Sequence, residues 1–380
     1  MQSPISQLSS AWSLLQLRQI LSAASLPDIA PSEIPALIEL ARVQSVAPYL
    51  YWKLRALGAD MNAPAWQPLD AIYQTHTRAY LDLKNAAGKI NAALTEAGIP
   101  AIWLKGFALA HSVYPEPALR HMVDLDVLVP FAQRRAALEC MQHIGYTLDI
   151  VRPSETLQDM SHDYHLQGEM PLELHYRLLG VHSKFFTADD LAWFWSQTRT
   201  FNFNTHTLQM FAPEAQVLHL CAHAMLNHSE AEFLLQRFLD LHLVITTAPQ
   251  LDWNMVVERA RALRWTYAVE RALDITRTYF GTPIPEDLTD ALAAQRPNDE
   301  DNARAFHNFG ASTPLENARN YLRGMSAREK LNWVKDSLLP SRAYMQWRYH
   351  PKTRWQMLAA YPYRWFDIVR HIAQTVRKRL

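Results

Sequence analysis

"VDLDVLVP", Val123–Pro130, is the stretch that decides how this chain is read. Side chains alternate across a strand, so Asp124 and Asp126 share one face while Leu125, Val127 and Val129 share the other. Two like charges about 4 Å apart cost roughly 4 kcal/mol at an effective dielectric of ~20, so such a face calls for a cation. A second apolar run, "PLELHYRL" (171–178), carries a third carboxylate, Glu173, between Leu172 and Leu174. Three carboxylates on adjacent strands can hold two Mg²⁺ or Mn²⁺ ions ~3.5–4 Å apart, with phosphate oxygens completing the coordination. The alternative is a solvated strand face or turn with Arg120 as the ion-pair partner.

Upstream, "IPAIWLKG" (99–106) reads as a short strand ending at Gly106 and passing into a short helix, "FALAHSVYP", closed by Pro115. A strand-to-helix turn presents backbone N–H groups and a positive dipole end, which seats a phosphate; Lys105 would meet that phosphate as a point charge. Gly106 lies eighteen residues before Asp124. Downstream come a helix capped by Gly145, a strand "YTLDIV", and two more strands, "YHLQGE" and "PLELHYRL", around a Gly168 turn. Residues 99–180 therefore read β-α-β-α-β-β-β.

Apolar residues on either side recur at helical spacing. "SSAWSLLQLRQILSAA", "PSEIPALIELARVQSVAPYLYWKLRAL" and "LDLKNAAGKINAALTEAG" precede the sheet, the last ending at a capping Gly98. From Leu191 onward the windows read as helices, among them "EAQVLHLCAHAMLNH" and "AEFLLQRFLDLHLVITT". The expected fold is α+β, a small mixed sheet embedded in a predominantly helical chain. Five regions follow: an N-terminal helical region (1–98), a core (99–180), a helical region closing the site (181–292), a polar loop (293–313), and a basic, aromatic-rich helical region (314–380).

The 380 residues carry 37 Lys or Arg and 37 Asp or Glu, so no global field draws the protein to nucleic acid or membrane. Two cysteines, Cys140 and Cys221, and a start without a signal-peptide pattern point to a cytoplasmic location. Apolar runs are interrupted well short of a membrane span. Between Ser341 and Leu380, nine Lys or Arg face one acid, Asp367, a net charge of +8, interleaved with Trp347, Tyr349, Trp355, Tyr361, Tyr363, Trp365 and Phe366. That mixture suits single-stranded RNA, a membrane surface, or helices with aromatics packed inward.

His219 and His223, at i and i+4, have a spacing compatible with zinc but lack a third ligand; a site wall or a packed face are the other readings. Arg237 and Asp240 read most simply as an intrahelical pair, and Arg237 could reach a phosphate if this helix closes over a nucleotide. His175 shares the face of Glu173 and suits support of a metal or an acceptor, or a backbone-bonded strand edge.

The order "LKG", short helix, "YPEPALRHMVDLDVLV", helix, "LELHYRL" resembles the uncharacterised nucleotidyltransferases of the polymerase-beta-like superfamily. That superfamily has a strand-end glycine, then hydrophobic-Asp-hydrophobic-Asp, then a carboxylate on a later strand, matched here by Gly106, Asp124, Asp126 and Glu173; Lys105 and Arg120 also fit the subgroup. The resemblance extends to "LHLCAHAMLNH", "LQRFLDLHLVI" and "LLPSRAYMQWRYHP". One departure is Gly106-Phe107 where Gly-Ser or Gly-Gly is usual, which would either shift phosphate contact toward Lys105 or weaken the site. The resemblance implies a nucleotidyltransferase core at 99–180, with an NTP as substrate and transfer of its NMP to an acceptor. Asp124 and Asp126 would hold both metals, and Glu173 would ligate the second and accept the acceptor's proton. The acceptor could be a small molecule, a peptide, a protein side chain or RNA. Rival readings are a metal-dependent nuclease, which would prefer Lys where His175 stands, a glycosyltransferase, and a catalytically inactive nucleotide- or RNA-binding module.

Overall fold

The structure is a computed structural model that describes residues 14–159, 161–179, 186–228, 233–300 and 327–377. Much of the polar loop expected at 293–313, and the first residues of the region after it, lie outside these.

Thirteen described α-helices precede residue 300: α1 (Leu14–Ser22), α2 (Ile34–Val43), α3 (Ala47–Ala56), α4 (Gln67–Glu96), α5 (Lys105–Ser112), α6 (Arg134–His143), α7 (Glu155–Asp159), α8 (Ala188–Ser196), α9 (Pro213–Ala222), α10 (Leu235–Thr247), α11 (Trp253–Leu263), α12 (Thr266–Phe280) and α13 (Leu288–Ala294). Helices Ala327–Leu338, Arg342–Tyr349 and Arg354–Arg377 follow. The strands are β1 (Ile102–Trp103), β2 (Leu125–Leu128), β3 (Thr147–Leu148), β4 (Asp163–Gln167), β5 (Leu172–His175), β6 (Thr198–Phe203) and β7 (His206–Phe211). They form one mixed sheet in the order β3-β4-β5-β2-β1-β7-β6. The fold is α+β, a sheet in a predominantly helical chain.

The helical reading of the chain after Leu191 misses two strands. β6 and β7 form an antiparallel hairpin whose β7 adds in parallel to β1. "TRTFNFNTHTLQMF" alternates apolar and polar residues, and Asn204 takes the left-handed turn position with φ 53°. The "APYLYWKLRAL" window is a helix separate from the one before it, the chain breaking at Ser45 with φ 57°. The glycine stops are where expected: after α4, Gly98 has φ 65° and Ile99 N–H reaches back to Leu94 O.

The two faces of β2 are buried in different cores. Leu125, Val127 and Val129 pack with Leu172, Leu174 and Tyr176 of the β5 region and with Leu83, Ala86, Ala87, Ile90 and Leu94 of α4. Those α4 positions recur at three-and-four spacing, the stripe by which a helix covers a sheet. Leu128, on the other face, joins a larger core built by α1–α3 and α9–α12. Asp126 lies on that second face, between sheet and helical wall.

The C-terminal helices lie against the β3–α7 edge. Trp347 Nε1 donates to Asp149 O at 2.8 Å, and Ser341 N–H donates to Pro153 O at 2.7 Å.

Candidate active site

A cleft of about 330 Å³ opens between the sheet and α10. Lys105, Arg120, Asp124, Asp126, Glu173, His223, Arg237 and Asp240 all line it. The sheet register gathers the acids: Asp126 and Glu173 are direct neighbours across the parallel β2–β5 pairing. Asp124 sits in the bend just ahead of β2 rather than within the strand, and still faces the same cleft.

Asp126 is 5% exposed, and two cations hold it. Lys105 Nζ donates to Asp126 Oδ1 at 2.7 Å, and His175 Nε2 meets the same oxygen at 2.9 Å. Glu173 Oε2 lies 3.2 Å from His175 Nε2 and 3.6 Å from Lys105 Nζ. Burial pushes the Asp126 carboxyl up, but Lys105 and His175 outweigh it and hold the group well below the usual carboxylate range. Burial likewise opposes the charge on His175, yet its hydrogen bonds to Asp126 and Glu173 raise it to about 9. Asp124 goes the other way: burial first, then repulsion from Asp126 and Glu173, pushes it up to about 6.

Gly106 has a packing reason. A Cβ there would meet Arg120 Nη1 at 2.7 Å and Met122 Cγ at 2.9 Å. Arg120 is pinned by Asp240 and cannot simply swing aside, so glycine is what lets it lie against the start of α5. Lys105 opens that helix with φ 41°, a left-handed conformation uncommon outside glycine. Phe107 is turned away from the cleft into the far core, 4.7 Å from Trp103 and 5.0 Å from Phe203 between ring centroids.

Arg120 does not serve Asp124 in the way the solvated-face alternative requires. Its Nη2 donates to Asp240 Oδ2 at 2.8 Å, and Tyr114 Oη donates to Asp240 Oδ1 at 2.6 Å. Asp240 thus reaches across the cleft, beyond the intrahelical pairing with Arg237 that its spacing suggests. His223 lines the cleft, with Nε2 3.2 Å from His228 Nε2, while His219 is 1% exposed behind it. Among the described residues neither belongs to a group of three metal-ligand side chains.

Sequence reasoning misses His162, Asp163 and His165. It starts the strand at Tyr164, whereas β4 starts at Asp163, which pairs with His175, while His165 pairs with Glu173. The signal is the alternation in "DYHLQ" beside "LELH".

Asp126, Glu173 and His175 bring ligand atoms within 4.8 Å of one another and could hold a divalent ion, whereas Asp124 lines the same cleft but belongs to no such group among the described residues. The chain is thus an α+β protein with a carboxylate-lined cleft on its sheet. A family model described as "Uncharacterised nucleotidyltransferase" matches residues 30–281, and the chain belongs to that family. The match ends before "LLPSRAYMQWRYHP". No curated protein and no solved structure matches the chain. No described helix is long and apolar enough to cross a membrane.

Proposed function

We propose that the protein transfers a nucleoside monophosphate from an NTP to an acceptor hydroxyl and releases pyrophosphate. The observation that carries this reading is the cross-strand pair Asp126–Glu173 with Asp124 lining the same cleft. Asp124, Asp126 and Glu173 would hold Mg²⁺ or Mn²⁺, which when bound neutralises the triphosphate and lowers the pKa of the acceptor hydroxyl. Lys105, Arg120 and Arg237 line the cleft and set positive charge where the phosphates enter. Gly106 lets Arg120 approach the start of α5, whose first N–H groups carry no side-chain cap. The acceptor oxygen attacks the α-phosphorus, the α–β P–O bond breaks, and Glu173 takes the acceptor proton. Catalysis is then mostly positioning and charge neutralisation.

The transferase core is proposed as 99–180, extended by the β6–β7 hairpin that completes its sheet. The test is incubation with each labelled NTP and Mg²⁺, with and without cell extract, tracking where label goes. Asp126→Asn is expected to abolish transfer while the fold is kept, since Asn retains an oxygen acceptor for Lys105. Transfer at the wild-type rate in that variant would sink the assignment. Nucleotide binding without turnover would favour the inactive binding module, and shortened nucleic acid would favour the nuclease.

A second reading concerns the C-terminal helices as a weak contact for RNA. Trp355 is 79% exposed and Phe366 62%, so these rings are not packed inward. Exposed rings beside Arg354 and Arg370 suit stacking on single-stranded bases.

A further inference from the structure

His162, Asp163 and His175 each bring one ligand atom within 4.8 Å of the others, and His175 also belongs to a neighbouring group with Asp126 and Glu173. Asp163 and His175 are cross-strand partners in the β4–β5 pairing, so the sheet itself sets their approach. Both are 2% exposed. Each also carries a buried atom with no hydrogen-bond partner, Oδ2 in Asp163 and Nδ1 in His175. Leaving such an atom unsatisfied is costly, and two on facing residues call for a shared ligand. The Nε2 atoms of His162 and His165 stand 3.4 Å and 3.2 Å from Asp163 Oδ2 without making hydrogen bonds to it.

We infer that His162, Asp163 and His175 form a site for a divalent transition ion of the zinc type, adjoining the carboxylate site for Mg²⁺. Two imidazoles and one carboxylate are the ligand set that borderline ions take, whereas Mg²⁺ prefers oxygen alone. The His162 side chain is 28% exposed, which gives the ion a path from solvent. His175 joins the two sites. Its Nε2 meets Asp126 at 2.9 Å, leaving Nδ1 for the ion, which takes the place of a proton there. A metal-bound imidazole usually donates its other N–H to a carboxylate, which is the arrangement here. The ion would fix the ring that holds Asp126 and Glu173, and so order the neighbouring site without touching a nucleotide.

The test uses the full chain, stripped of metal by a chelator and titrated with Co²⁺, whose visible d–d absorption strengthens on low-coordinate imidazole ligation. One equivalent is expected to give that absorption. His162→Ala and Asp163→Asn should each weaken Co²⁺ binding at least ten-fold, and excess Zn²⁺ should displace the ion. Asp124→Asn should leave the titration unchanged. If Asp163→Asn fails to fold, His162→Ala, at a partly exposed position, still decides. No absorption, an unchanged affinity in His162→Ala, or a loss caused by Asp124→Asn would each overturn the site. None of these readouts depends on nucleotide transfer.

Discussion

Arg120 Nη2 donates to Asp240 Oδ2 at 2.8 Å, and this buried pair ties the loop ahead of β2 to α10. Tyr114 holds the other carboxylate oxygen, so Asp240 is satisfied on both sides while only 1% exposed. The pair fixes how far the helical wall stands from the acids.

Removing one partner leaves the other as an uncompensated buried charge. Asp240→Ala is expected to cost about 3–5 kcal/mol, read from urea unfolding at neutral pH. A loss below about 1 kcal/mol would show that the pair is solvated and does not set the wall.

Gly106→Ala and Gly88→Ala make a matched comparison, since both glycines are helical. Alanine at 106 meets Arg120 and Met122, and the overpacking should cost about 1–3 kcal/mol and weaken nucleotide binding. A Cβ at Gly88 meets nothing within 4 Å, so that variant should gain about 0.5–1 kcal/mol. Equal melting shifts in the two proteins would contradict the packing account of Gly106.

Asp124 gives a pH dependence with a defined sign. Its folded value is raised from 3.8 to about 6, so its contribution to stability is present below pH 3.8 and lost as pH rises through 6. In EDTA at neutral pH, Asp124→Asn should melt at the same or a higher temperature than wild type, and the difference should shrink on acidification. With Mg²⁺ and NTP the wild type should gain stability by mass action and the variant little. A variant that is destabilised yet responds fully to both ligands refutes the metal reading of Asp124.

How much is legible in the sequence follows from which interactions are local. The acids of β2 and β5 stand out because apolar neighbours isolate them in short runs. Helix stops at Gly98 and Gly145 are set within a turn of chain, and both glycines take positive φ. The hairpin β6–β7 is hidden by its helical flanks, and Asp163 by a strand boundary placed one residue late. The role of Asp240 is out of reach, because its partner Arg120 is 120 residues away in the chain.

If the C-terminal helices bind RNA, affinity should fall steeply as salt rises, through counterion release. Arg354→Glu with Arg370→Glu should weaken binding and flatten that slope, measured by fluorescence anisotropy on a labelled single strand. An unchanged slope in the double variant would remove these helices from any RNA contact.

The pairing of β2 with β5 also constrains how this chain can change. Asp126, Glu173 and His165 form one row across three strands, and Asp163 and His175 belong to the next. Within β4 and β5 these polar positions fall on alternate residues. Inserting or deleting a single residue in β2, β4 or β5 would turn the polar row into the apolar core and bring leucines to the cleft. A two-residue change would keep the rows facing the right way and only slide them, so length variation in these strands should be tolerated in even steps and not in odd ones.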